Sequence, residues 1–140
     1  MLWGGLSAGV LDITAAFVRW GKPVRILQGI ASGILGPQAF QGGWGTAALG
    51  LALHFLIAFS AAVVYYAASR KLVFLRRRAV VWGLFYGIAV YMFMTWVVVP
   101  LSAFPKGKAP FSATGLAISL LTHMFCVGLP VALAVRRYAK

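Results

Sequence analysis

The chain has 140 residues, of which 62% are hydrophobic and only 10% charged, against about 25% charged in an ordinary soluble domain. A water-facing globule of this size has too little interior to hide so much apolar side chain, and disorder needs the opposite composition, which leaves a polytopic membrane protein. Thirteen Lys and Arg stand against one acid, a formal charge of +12, but they fall between and just after long apolar runs, where topology and anionic lipid headgroups account for them and no nucleic-acid partner is expected.

A membrane-crossing helix needs about 20 mostly apolar residues. Four segments meet this, at about Trp3–Trp20, Trp44–Ser69, Ala79–Leu101 and Phe111–Val135. A secretory signal in place of the first would need a basic stretch ahead of its apolar run. Met1 and Leu2 supply none, and Asp12 would fall inside it, so a retained span is expected. Pro23–Gly36 follows, with 14 residues, too few to cross unaided. Pro23 opens and Gly36-Pro37 closes a short helix on which Val24, Leu27 and Ala31 recur at helical spacing beside Arg25 and Gln28. It reads as an interfacial or re-entrant helix, with Gly29 and Gly33 allowing it to lie close against a neighbour. The loop PQAFQGGWG then leads into the second span. Trp3, Trp20, Trp44, Tyr65, Tyr66 and Trp82 fit interfacial belts, and Pro100 and Pro130 are expected to bend or end their helices.

Orientation follows from the basic residues at the span ends. Arg70, Lys71, Arg76, Arg77 and Arg78, with Arg136, Arg137 and Lys140, place eight on one side; Arg19, Lys22, Arg25, Lys106 and Lys108 place five on the other. The larger group is expected in the cytoplasm, with both termini. The expected fold is all-α: a polytopic membrane four-helix bundle with one short interfacial or re-entrant helix, one integral membrane domain over residues 1–140.

Spans in lipid associate through close approach and polar links. Gly5 and Gly9 on the first span and Gly83 and Gly87 on the third are small-xxx-small pairs suited to helix packing. Stripes of small and polar residues also run through His54 on the second span and through His123 on the fourth. Spans one and three share the Gly-x-x-x-Gly entry, and spans two and four a central histidine followed by phenylalanine, which suggests an internal duplication.

Three ionisable residues, Asp12, His54 and His123, lie near the middle of their spans. A charge at that depth costs roughly 2.5–3.5 kcal/mol on insertion scales, so each must be neutral, paired or hydrated. The group reads as a buried polar link between helices or as a proton relay. Two histidines at one depth also suit the axial ligands of a haem, although no CxxCH attachment sequence occurs. His123 and Cys126 share a face but read as a packing histidine beside a small thiol, and no metal site is expected. With one acid, one cysteine, no GxGxxG, no GxSxG and no phosphate-binding loop, no catalytic residue is assigned.

The runs GGLSAGVLDITAAFVRWGKPVRILQGIASG, LHFLIAFSAAVVYY, WGLFYGIAVYMFMTWVVVPLSAFP and LLTHMFCVGLPVALAVRR resemble small bacterial four-span inner-membrane proteins of uncharacterised function and, more distantly, those of the YagU type. The likeness touches Gly9, Trp20, His54, Gly83, Gly87, Pro100, Pro105 and His123, while Asp12 departs from the pattern. It implies a bacterial inner-membrane location and a loose link to acid tolerance, with no substrate or cofactor attached. The functional expectation is a non-enzymatic accessory or scaffold subunit that self-associates or joins other membrane subunits. The alternatives are a proton-linked channel or transporter centred on Asp12, His54 and His123, and a bis-His haem electron carrier.

Overall fold

A computed structural model describes residues 1–107 and 110–139. Lys108 and Lys140, both part of the expected charge asymmetry, lie outside the described residues. Among the described residues every regular element is helical. The chain folds as α1 (Leu2–Trp20), α2 (Pro23–Leu35) with a 3-10 turn over Gly36–Gln41, α3 (Gly43–Lys71), α4 (Phe74–Arg77), α5 (Ala79–Leu101) and α6 (Ala113–Tyr138).

The breaks have local causes. Gly21 takes a left-handed conformation (φ 65°), which lets its N–H close α1 on Phe17 O, and Pro23 pre-sets the first turn of α2. Ser112 opens α6 by accepting the Gly115 N–H at 3.1 Å. Helices α3, α5 and α6, of 29, 23 and 26 residues, are long and apolar enough to cross a membrane. α1 has 19 residues but is less apolar, because glycines, Asp12 and Arg19 interrupt it. Three of the four expected crossings are therefore present as apolar membrane-length helices; the fourth is a helix of sufficient length whose apolarity falls short.

The four long helices run alternately up and down. Gly5 and Gly9 of α1 face Phe59 and Phe55 of α3, Gly4 of α1 faces Val131 and Ala134 of α6, and Gly83 and Gly87 of α5 face Ala132 and Met124 of α6. Each pairing descends on one helix as it climbs on the other. α1 thus lies between α3 and α6, and α6 between α1 and α5.

Burial is inverted relative to a soluble protein. The core is built of small residues, Ala8, Ala62, Ala79 and Ala132 being fully buried alongside Val131 and Val135. Large apolar residues point outward, with Trp96 68% and Phe111 83% exposed. Outside a membrane such a surface would drive aggregation; in lipid it is the matching solvent.

α2 belongs to the bundle. Its Leu27 packs with Ile13 of α1 and Ala47 of α3, the Gln28 side chain donates to Gly43 O at 3.0 Å, and Ala103 N–H donates to Gly33 O at 2.8 Å. The close approach expected at Gly29 and Gly33 occurs elsewhere. A Cβ on Gly29 would meet open space and one on Gly33 only Ser102, whereas a Cβ on Gly50 of α3 would overlap the Leu27 carbonyl. The glycine that admits α2 therefore lies on its partner.

Both prolines in the spans follow a wide turn. Pro130 lacks an N–H and its ring crowds the carbonyl four residues back. The helix answers with π geometry over His123–Gly128, where Leu129 N–H reaches Met124 O. Pro100 follows the same device, with a π turn over Met94–Val98 and Val99 N–H on Met94 O. The two halves of the expected duplication differ in detail: α2 is inserted in the first only, and both π turns fall in the second.

Candidate functional site

α3 and α5 meet where the rings of Tyr65 and Tyr86 lie 4.9 Å apart and the Tyr86 hydroxyl donates to Ala61 O at 2.7 Å. Tyr65 in turn donates to Leu75 O of α4 at 3.0 Å, anchoring this end. Beyond the tyrosines α3 and α5 part, leaving a half-open cavity of about 710 Å³. Its sides are Leu53, His54 and Ile57 of α3 and Val90, Met94 and Val98 of α5; its back is Asp12 and Ile13 of α1 with His123 and Val127 of α6. α2 forms the roof with Ile26, Gly29, Ile30 and Gly33, and Trp20 and Phe104 stand at that end. This volume is typical of a small-molecule site.

Asp12, His54 and His123 all line this cavity. His54 Nε2 is 2.8 Å from Gly9 O on α1. A carbonyl only accepts, so Nε2 carries the hydrogen, and in the neutral ring Nδ1 holds a lone pair. His123 is the mirror case: Nδ1 donates to Ser119 O at 2.9 Å, and Nε2 holds the lone pair. Each imidazole is also braced by an aromatic edge, His54 by Phe55 at 5.6 Å and His123 by Tyr91 at 5.2 Å. Asp12 is half-buried one turn beyond Gly9. The only cation of α1, Arg19, is turned to α6, donating to Ser119 Oγ at 2.9 Å and Gly115 O at 3.4 Å and lying over the Trp20 ring. Among the described residues the Asp12 carboxyl has no ionic partner, and no group of three His, Cys, Asp or Glu side chains is placed to hold a metal ion.

The expected packing glycines all lie at helix contacts within the chain. A Cβ on Gly9 would fall 2.5 Å from the Phe55 ring, one on Gly83 2.7 Å from the Ala132 Cβ and one on Gly87 2.5 Å from Met124 Cα; Gly5 lies equally close beneath Phe59. The basic residues assigned to headgroups collect at the opposite end of the bundle from α2. Arg70 donates to the Tyr66 hydroxyl at 3.2 Å near Lys71, Arg77 and Arg78 are exposed, and Arg137 lies over the Tyr138 ring beside the exposed Arg136. Arg76 joins the two groups by donating to Ala139 O at 3.3 Å, while its Nε is buried without a partner.

Sequence reading alone missed the α2 roof, the tyrosine closure and Tyr91. A signal for the wide turns was present, since Pro100 and Pro130 each follow a long apolar run. Met94 and Val98 from one π turn and His123 and Val127 from the other line the cavity, so both irregular turns aim side chains into it.

Comparison with known protein families, with curated proteins and with solved structures finds no match.

Proposed function

We propose that the chain is a multi-pass protein of the bacterial inner membrane, with both termini in the cytoplasm and α1 as its fourth crossing, and that it moves protons in linkage with a solute through the central cavity. Membership of the YagU-type family, with its link to acid tolerance, is part of this proposal. The observation that carries it is that Asp12, His54 and His123, from three helices, line one half-open and largely apolar cavity. Ionisable groups at membrane depth that face a cavity mark ion and proton paths.

Two other readings fare less well on the same geometry. A scaffold that recruits other subunits or copies of itself was motivated by the glycine pairs, but those faces are filled by the chain's own helices. A haem would find an imidazole lone pair on each histidine, in the arrangement in which a ligating ring donates its other N–H to a carbonyl. Among the described residues, however, the cavity lining has no Lys or Arg for the propionates, and it includes a carboxyl besides the two histidines. The donor set suits protons better.

The test is proton flux into proteoliposomes clamped with potassium and valinomycin after an external acid jump. Wild-type vesicles should acidify faster than empty ones, and Asp12→Asn should reduce the excess at least tenfold. An excess rate unchanged by Asp12→Asn refutes the assignment.

A further inference from the structure

We propose that the solute bound in this cavity is a lipophilic organic cation, which sits against Asp12 and is displaced from it by protons. This deepens the transport reading, since it names the substrate class of the same site.

The wall has one kind of polar character. Asp12 is the only acid in a chain of charge +12, and among the described residues the cavity lining contains no Lys or Arg. Each helix around the cavity brings its own titratable groups. α3 brings His54 and α6 brings His123, both with one nitrogen committed to a carbonyl and the other bare. α6 also carries Cys126, a free and partly buried thiol. α5 offers Tyr91, which is turned edge-on to His123, and Tyr86, committed to Ala61. α2 lends only apolar residues and glycine, and Arg19 is held by α6. Ser102 gives its hydroxyl hydrogen to Val99 O and the Trp20 indole stands at the end of the cavity; beyond these the polar groups of the lining are a carboxyl and two acceptor nitrogens. An anion would be repelled by the carboxyl and would find only acceptors on the histidines. A neutral apolar molecule would leave the carboxyl unmatched. A cation satisfies all three, and where its charge is carried by N–H groups it also donates to the lone pairs.

The rest of the wall fixes the body of the ligand. Leu53, Ile57, Val90, Met94 and Val98 form an apolar slot, and the rings of Trp20 and Phe104 at its end suit a diffuse positive charge. The parting of α3 from α5 leaves the cavity open between two helices of membrane length, the side from which a lipophilic cation would enter in this reading. Because the cation and the proton neutralise the same carboxyl, the two compete for it.

The test is binding of tetraphenylphosphonium to the purified full chain in lipid nanodiscs, with triphenylphosphine oxide as a neutral control of similar bulk. Wild-type protein should bind the cation and not the oxide, Asp12→Glu should retain binding, Asp12→Asn should weaken it at least tenfold, and wild-type affinity should fall as the pH is lowered. Absence of cation binding by the folded wild type, equal binding of the oxide, or full binding by Asp12→Asn overturns the substrate class. If Asp12→Asn does not fold, the pH series on the wild type decides: affinity that is flat on acidification overturns the proposal. If the cation fails to bind while Asp12-dependent proton flux persists, the substrate class falls and the transport reading stands; if it binds without such flux, the reverse holds.

Discussion

Replacing Gly50 by alanine adds one methyl group at the point where α2 crosses α3. That methyl would overlap the carbonyl of Leu27, a backbone group that no rotamer change can move aside. The whole of α2 must therefore lift from α3. Overpacking of this kind costs about 1–3 kcal/mol. The lift also stretches the bond from Gln28 to Gly43 O, 3.0 Å in the native fold, and a lost hydrogen bond in a membrane protein costs about 0.6 kcal/mol. Against this, alanine gains about 0.5–1 kcal/mol over glycine inside a helix. The net expectation is a destabilisation of about 0.6–3 kcal/mol, with the roof of the cavity displaced. Gly29→Ala supplies the comparison, because its methyl meets open space within the cavity and should leave stability unchanged or slightly improved. Reversible unfolding in mixed micelles of increasing SDS measures both, and proteolysis after Arg25 reports the position of α2. Equal stability of Gly50→Ala and wild type, or equal damage from the two substitutions, would refute the assignment of Gly50 as the crossing point.

Three further outcomes are expected. Tyr86→Phe removes the bond to Ala61 O and should cost about 0.6 kcal/mol in the same unfolding assay; a loss beyond about 2 kcal/mol would show that the tyrosine closure carries more than one hydrogen bond. Titration of the purified protein with hemin should produce no bis-imidazole Soret and α bands, and bands abolished by both His54→Ala and His123→Ala would restore the haem reading. A reporter fused to the C-terminus should score as cytoplasmic, and an external signal would invert the topology drawn from Arg70, Lys71 and Arg76–Arg78.

The long helices were legible because lipid imposes one rule along each span: apolar residues for about 20 positions, with glycine or proline at the breaks. That Asp12, His54 and His123 would line one cavity was partly readable, since like positions along successive long helices fall at one level of the packed helices. What the sequence withheld was lateral. No periodicity distinguishes which side of α3 takes α2, so Gly29 and Gly33 attracted an expectation that Gly50 fulfils. The parting of α3 from α5 was hidden too, because it depends on one tyrosine pair rather than on a pattern. The π turns depend on whether a neighbouring helix rewards the extra residue per turn, which a single span cannot reveal.

α1 has a consequence for how the protein is made. It is the least apolar of the long helices and the first to leave the ribosome, yet its contacts include Val131, Ala134 and the Ser119 that holds Arg19, residues about a hundred positions downstream. Until α6 emerges, Asp12 and Arg19 have only part of their native surroundings. The native setting of α1 is therefore completed last, and a chain stalled before α6 should leave α1 more open to protease than the finished protein does.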